Sequence, residues 1–102
     1  MRILIVEDEP KLASVIRRGL EEQGYQTLVA VNAAEAIASV RADHLDLMLL
    51  DISLPDRDGH AVLAEARGLR RDLPVIMVTA RDDVASKIDA LDGGADDYIT
   101  KP

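Results

Sequence analysis

Two hydrophobic spacings alternate along this chain. Residues 2–6 (Arg2-Ile3-Leu4-Ile5-Val6), 45–51 (Leu45-Asp46-Leu47-Met48-Leu49-Leu50-Asp51) and 74–80 (Pro74-Val75-Ile76-Met77-Val78-Thr79-Ala80) are short, nearly unbroken apolar runs. Runs this short, rich in β-branched and large aliphatic residues, read as strands buried on both faces. Residues 25–31 form a weaker, more polar strand suited to a sheet edge, and residues 95–100 a last short one. Between the strands apolar residues recur at helical spacing: Leu12, Val15, Ile16, Gly19 and Leu20; Ala33, Ala36, Ile37 and Val40; Val62, Leu63, Ala66 and Leu69; and a thinner stripe of Val84, Ile88 and Leu91 over residues 82–92.

Punctuation agrees with that reading. Pro10 suits the first turn of a helix, where its missing N–H costs nothing, and Gly24 suits the stop. Asn32-Ala33-Ala34-Glu35 resembles a capping box. Asp58 can cap the third helix, Gly68 weakens its last turn, and Gly93-Gly94 stops the fourth. A strand-helix unit repeated four times, then a fifth strand, implies a parallel sheet with helices on both faces and right-handed crossovers. A last strand without a following helix leaves sheet surface uncovered. The expectation is therefore one domain, residues 1–102, cut before a fifth helix and belonging to a longer natural chain.

Composition narrows the chemistry. At 102 residues, 48% apolar and 30% charged, this is an ordinary globular mix. Tyr25 and Tyr98 are the only aromatic residues, so the core must be aliphatic. Cysteine is absent, which removes disulfides, thiolate nucleophiles and cysteine metal sites. No stretch approaches a membrane span, and a strand begins at once where a signal peptide would stand; a cytoplasmic setting is expected. A net charge of −7 argues against direct nucleic-acid contact by this piece.

In a parallel sheet every strand's carboxyl end lies on one edge, where open α/β folds bind ligands. That edge collects Glu7 and Asp8 from the first strand, Asp51 from the third, Thr79 from the fourth and Lys101 from the fifth. Three converging carboxylates repel: at roughly 5 Å and an effective dielectric of about 20, each pair costs about 3 kcal/mol. A cation or a proton must offset this. An oxygen-only donor set favours a hard ion such as Mg²⁺, with Mn²⁺ as a substitute. Asp8 and Asp51 are the expected direct ligands, the backbone carbonyl of Ser53 a third, and Glu7 acts through water. A metal and the Lys101 ammonium around one carboxylate make a phosphoryl-transfer site. Asp51 would attack in line, and the Thr79 hydroxyl could bond a new phosphoryl oxygen.

Four segments in this order carry a resemblance: Ile5-Val6-Glu7-Asp8-Glu9-Pro10, Leu50-Asp51-Ile52-Ser53-Leu54-Pro55-Asp56 with Asp58-Gly59, Val78-Thr79-Ala80, and Gly94-Ala95-Asp96-Asp97-Tyr98-Ile99-Thr100-Lys101-Pro102. The chain resembles the receiver domain of two-component response regulators, and its last segment resembles the OmpR/PhoB branch, whose receivers regulate a winged-helix DNA-binding domain. The resemblance implies a flavodoxin-like three-layer α/β sandwich with sheet order 2-1-3-4-5. It implies a phosphorylation-driven signalling switch, not an enzyme acting on external substrates, with Asp51 taking a phosphoryl group from a sensor histidine kinase and hydrolysing it by self-catalysis. Thr79 and Tyr98 would be the switch pair, Lys101-Pro102 a cis peptide, and Lys87, Asp96 and Asp97 part of a homodimer face on the fourth helix and fifth strand. Arg57 departs from the family, which often has methionine or another apolar residue there. Ser53 and Arg81 stand where relatives tune phosphate lifetime.

Other classes fit worse. A phosphatase of the haloacid dehalogenase type needs Asp-x-Asp after its first strand, which Glu7-Asp8-Glu9-Pro10 lacks. A flavin carrier needs a Ser/Thr/Gly-rich phosphate loop there, and Glu-Asp-Glu-Pro would repel the phosphate. His44 and His60 have no partners at ligand spacing and read as surface residues.

Overall fold

The structure is a computed structural model and describes residues 1–79, 88 and 91–100. Its elements run β1 (Arg2–Val6), α1 (Pro10–Glu22), β2 (Gln26–Ala30), α2 (Ala33–Ala42), β3 (Leu47–Asp51), α3 (Gly59–Leu69), β4 (Val75–Thr79) and β5 (Asp97–Thr100). Of the helix expected over residues 82–92, Ile88, Leu91 and Asp92 are described, and all three are helical. The strands form one parallel sheet in the order β2-β1-β3-β4-β5. This is the expected topology, with β2 at an edge.

Alternation along the strands divides the interior. Leu4 and Val6, Met48 and Leu50, and Val75 and Met77 share one face and are buried beneath α2 and α3, with Ala33, Ala36, Ile37, Val40, Val62, Leu63 and Ala66. The predicted inner faces of these two helices are thus the observed ones, except Leu69, which lies exposed at the end of α3. On the opposite face Ile3 and Ile5 are buried where α1 runs along β1 and β2. Farther across that face Leu47, Leu49, Ile76 and Val78 are half-buried, and Ile99, paired with Val78, is 47% exposed.

Helix α1 docks differently from its apolar stripe. Ala13 is buried, whereas Leu12, Ile16 and Leu20 are half-buried and Val15 and Gly19 are exposed. Periodicity selects a side of a helix to within about one residue step, and a small side chain allows the closest approach to the sheet.

Caps lie where the sequence puts them, with some changes of partner. The Glu9 carboxylate accepts from the Lys11 and Leu12 N–H groups ahead of α1, with Pro10 opening the helix. Asn32 accepts from Glu35 N–H, but the Glu35 side chain reaches back to Val31 N–H, one residue beyond the capping-box partner. Asp58 accepts from His60 N–H at the start of α3. Gly24 closes α1 at φ 91°, a left-handed conformation that glycine adopts without steric cost.

Candidate phosphoryl-transfer site

Strands β1 and β3 are neighbours in register Val6↔Leu50, so the residues that follow each strand arrive side by side. Here Glu7, Asp8 and Asp51 each offer a carboxylate oxygen, all within 4.8 Å of one another. Glu7 and Asp51 are each 3% exposed, and Asp8 is exposed. The cluster therefore joins two buried acids to a third at the surface. Like charges packed this closely create the demand for a cation expected from the sequence. Hard oxygen donors open to solvent on one side fit a divalent hard ion that keeps part of its water shell.

The backbone around Asp51 is tightly determined. Ser53 N–H donates to Asp51 Oδ1 at 3.2 Å, and Glu9 N–H donates to Glu7 Oε2 at 3.1 Å. Residues 52–58 then form a closed loop, with Gly59 N–H donating to the Ile52 carbonyl at 2.6 Å and Ser53 bridging Asp58 in antiparallel fashion. Gly59 permits the closure: a Cβ there would lie 2.5 Å from the Asp51 carbonyl oxygen and 2.6 Å from the Ile52 Cα. That contact is with backbone, so only glycine lets α3 begin directly against the strand that carries Asp51.

Asp56, at the tip of this loop, engages a helix distant in sequence. Its Oδ1 accepts from Ala33 N–H at 2.7 Å and its Oδ2 from Ala34 N–H at 3.1 Å, the opening amides of α2. The Ala33 N–H holds this carboxyl below the usual aspartate value, and the Ala34 N–H adds to the effect. In the sequence Asp56 stands out only as the last residue of the segment Leu50–Asp56 that carries the family resemblance. No local signal marks it, because its partners are 23 and 22 residues away.

Val78 pairs with Asp51 and Thr79 with Thr100, which puts the end of β4 beside β3 and the end of β5 beside β4. Thr79 thus follows the neighbour of Asp51 on the same edge. Tyr98 pairs with Met77 and packs half-buried against the main core. Lys101, the Lys101-Pro102 peptide, Lys87 and Arg81 lie outside the described residues. Asp97 is exposed. Asp96 is held from within the domain: its Oδ2 accepts from Arg67 at 2.9 Å and from Val75 N–H at 2.8 Å. Arg57 ties Glu65 at 2.7 Å across the first turns of α3, which gives this departure from the family a local partner. His44 is exposed, with Asp46 3.9 Å away, and His60 is half-buried.

Comparison with known proteins agrees with this geometry. The family described as response regulator receiver domain matches residues 3–102. The chain is 45% identical over 102 residues to the transcriptional regulatory protein TcrA of Mycobacterium tuberculosis, covering 100% of this chain and 40% of that protein. It thus spans less than half the length of the curated relatives it matches. Among solved structures, a CheY-like response regulator receiver domain protein from Methanospirillum hungatei superposes with a TM-score of 0.94 at 38% identity, over 99% of this chain and 81% of that one. The response regulator TrrA from Thermotoga maritima, in complex with Mg²⁺-BeF, does so with a TM-score of 0.90 at 34% identity, over 99% and 86%.

Proposed function

Since the chain belongs to the response regulator receiver family, we propose that it is a phosphorylation-driven switch with Asp51 as the phosphoacceptor. The observation that carries this reading is the convergence of the Glu7, Asp8 and Asp51 carboxylates at the carboxyl edge of a parallel sheet. Asp8, Asp51 and the Ser53 carbonyl would hold Mg²⁺ directly and Glu7 through water. When bound, the ion offsets charge on the carboxylates and on the transferring oxygens. TrrA, a relative, is described with Mg²⁺-BeF.

The chain's own residues do the rest. An Asp51 carboxylate oxygen attacks phosphorus in line; the new O–P bond forms as the P–N bond of a phosphohistidine breaks, and the imidazole leaves with the electron pair. The Ser53 N–H at Oδ1 fixes the carboxylate's orientation for that attack. Lys101 would pair with the phosphoryl group, and the Thr79 hydroxyl would turn toward it. Tyr98 would follow into the vacated space, a two-position element that modest ligand energy can bias. The donor is a sensor histidine kinase. In the longer protein the receiver would control a winged-helix DNA-binding domain through homodimerisation on the fourth-helix and β5 face, to which Lys87, the exposed Asp97 and Asp96, one of whose oxygens is already engaged, would contribute. A cytoplasmic setting and the lack of direct DNA contact by this domain belong to the same reading.

Acetyl phosphate with Mg²⁺ tests it. Mass spectrometry should find one labile phosphoryl group on the wild-type chain and none on Asp51→Asn. Labelling that survives Asp51→Asn would refute the assignment, and steady phosphate release from generic esters would favour a phosphatase.

A further inference from the structure

The loop of residues 52–58 carries the Ser53 carbonyl, and three ties fix it. Two lie at its base: Gly59 N–H on the Ile52 carbonyl, and the Ser53–Asp58 bridge. The third is at its tip, where the Asp56 carboxylate spans the Ala33 and Ala34 amides. Those amides belong to a helix that already has its own cap, because Asn32 serves Glu35 N–H from within the segment. Asp56 therefore does more than complete a helix end. It joins the loop beside the acidic cluster to α2, whose Ala33, Ala36, Ile37 and Val40 are anchored in the core. Two hydrogen bonds from one carboxylate fix direction as well as distance.

We propose that Asp56 is a positioning residue for the metal: by clamping the loop tip to the first turn of α2, it sets where the Ser53 carbonyl stands and hence how tightly the carboxylate cluster holds Mg²⁺. This rests on the reading of Ser53 as a metal ligand given above. Asp56 itself touches neither the ion nor the phosphoryl group. It acts as supporting groups around metal sites do, by holding a ligand in place.

The test is a Mg²⁺ titration of the isotope-labelled 102-residue chain, followed by amide chemical shifts. Asp56→Ala is expected to weaken Mg²⁺ binding by roughly tenfold, while Asp56→Asn, whose single amide oxygen can serve only one of the two N–H groups well, falls between. Asn32→Ala is the control. It removes a cap from the same helix without touching the loop, so it should lower the melting temperature but leave Mg²⁺ affinity as in the wild type. Wild-type affinity in both Asp56 variants would overturn the proposal, as would an equal loss in Asn32→Ala. If Asp56→Ala does not fold, Asp56→Asn decides alone. A wild-type chain that binds Mg²⁺ yet takes no phosphoryl group would refute the phosphoacceptor reading, while the titration still decides the role of Asp56.

Discussion

The two edges of the sheet use charge in opposite ways. At the amino edge, ionisable side chains close backbone groups that the strands leave open. The Asp46 Oδ2 accepts from Arg2 N–H at 2.7 Å, and Arg70 donates to the Leu45 carbonyl at 3.2 Å. Arg67 donates to the Gly94 carbonyl at 2.8 Å, to the Leu73 carbonyl and to Asp96. At the carboxyl edge, three carboxylates are gathered within 4.8 Å. The first arrangement lowers the energy of the folded chain by itself. The second sets like charges side by side in a group that could hold a metal ion, which would make that edge responsive to a ligand. One scaffold can carry both because parallel strands put all their beginnings at one end and all their finishes at the other.

Variants can test this division, because each edge should fail in its own readout. Arg67→Ala is expected to have the largest effect on stability. It leaves two backbone carbonyls and one Asp96 oxygen without their guanidinium, with the Arg67 side chain 19% exposed. A loss of about 3 kcal/mol is expected, measured by urea unfolding, with the Mg²⁺ response retained. Next comes metal removal. Mg²⁺ at a hundred times its dissociation constant should stabilise the wild type by about 2.7 kcal/mol, seen as a rise in melting temperature that chelation reverses. Asp8→Asn should lose most of that rise, yet unfold above the wild-type midpoint in metal-free buffer, because one of three clustered like charges is gone.

A smaller effect tests the amino edge by pH. The Arg2 N–H holds the Asp46 carboxyl below its ordinary value. A carboxyl depressed in the folded state contributes stability that is complete above its unfolded value, about 3.9, and is lost as pH falls through its folded value. Asp46→Asn should therefore melt below the wild type at neutral pH, and the gap should narrow progressively as pH falls below about 3.9. A gap that is constant with pH would show that the carboxylate charge is not what matters there. Smallest of all, the Arg17–Glu21 pair at 2.8 Å lies on the outside of α1 with both side chains about half exposed. Arg17→Ala should leave the urea unfolding midpoint close to that of the wild type.

Much of the site is legible in the order of residues alone. Asp51 ends an apolar run, and Glu7 and Asp8 follow another, so parallel pairing alone brings them together. The caps Asn32 and Asp58 and the leading Pro10 act on amides a few residues away, and a short-range hydrogen bond can be read from spacing. Chain order and local period therefore determined the strands, the helices, the sheet's polarity and the identity of the acidic edge.

Tertiary structure decided the rest. Asp56 and Arg67 look like a turn residue and a solvated helix charge until α2, α3 and the start of β5 are docked, since the Asp56 partners and the Gly94 and Asp96 partners of Arg67 lie 22 to 29 residues away. The buried stripe of α1 settled on Ala13, with Val15 turned outward, because a broad apolar face fits the sheet at several rotations and packing selects one. Gly59 looks like ordinary turn chemistry, yet it is required by backbone 2.5 Å from where its side chain would begin. The physical reason is common to all three. Contacts between distant segments depend on the angle and depth at which helices settle on the sheet, and those are set by the summed packing of many side chains, which no single stretch encodes.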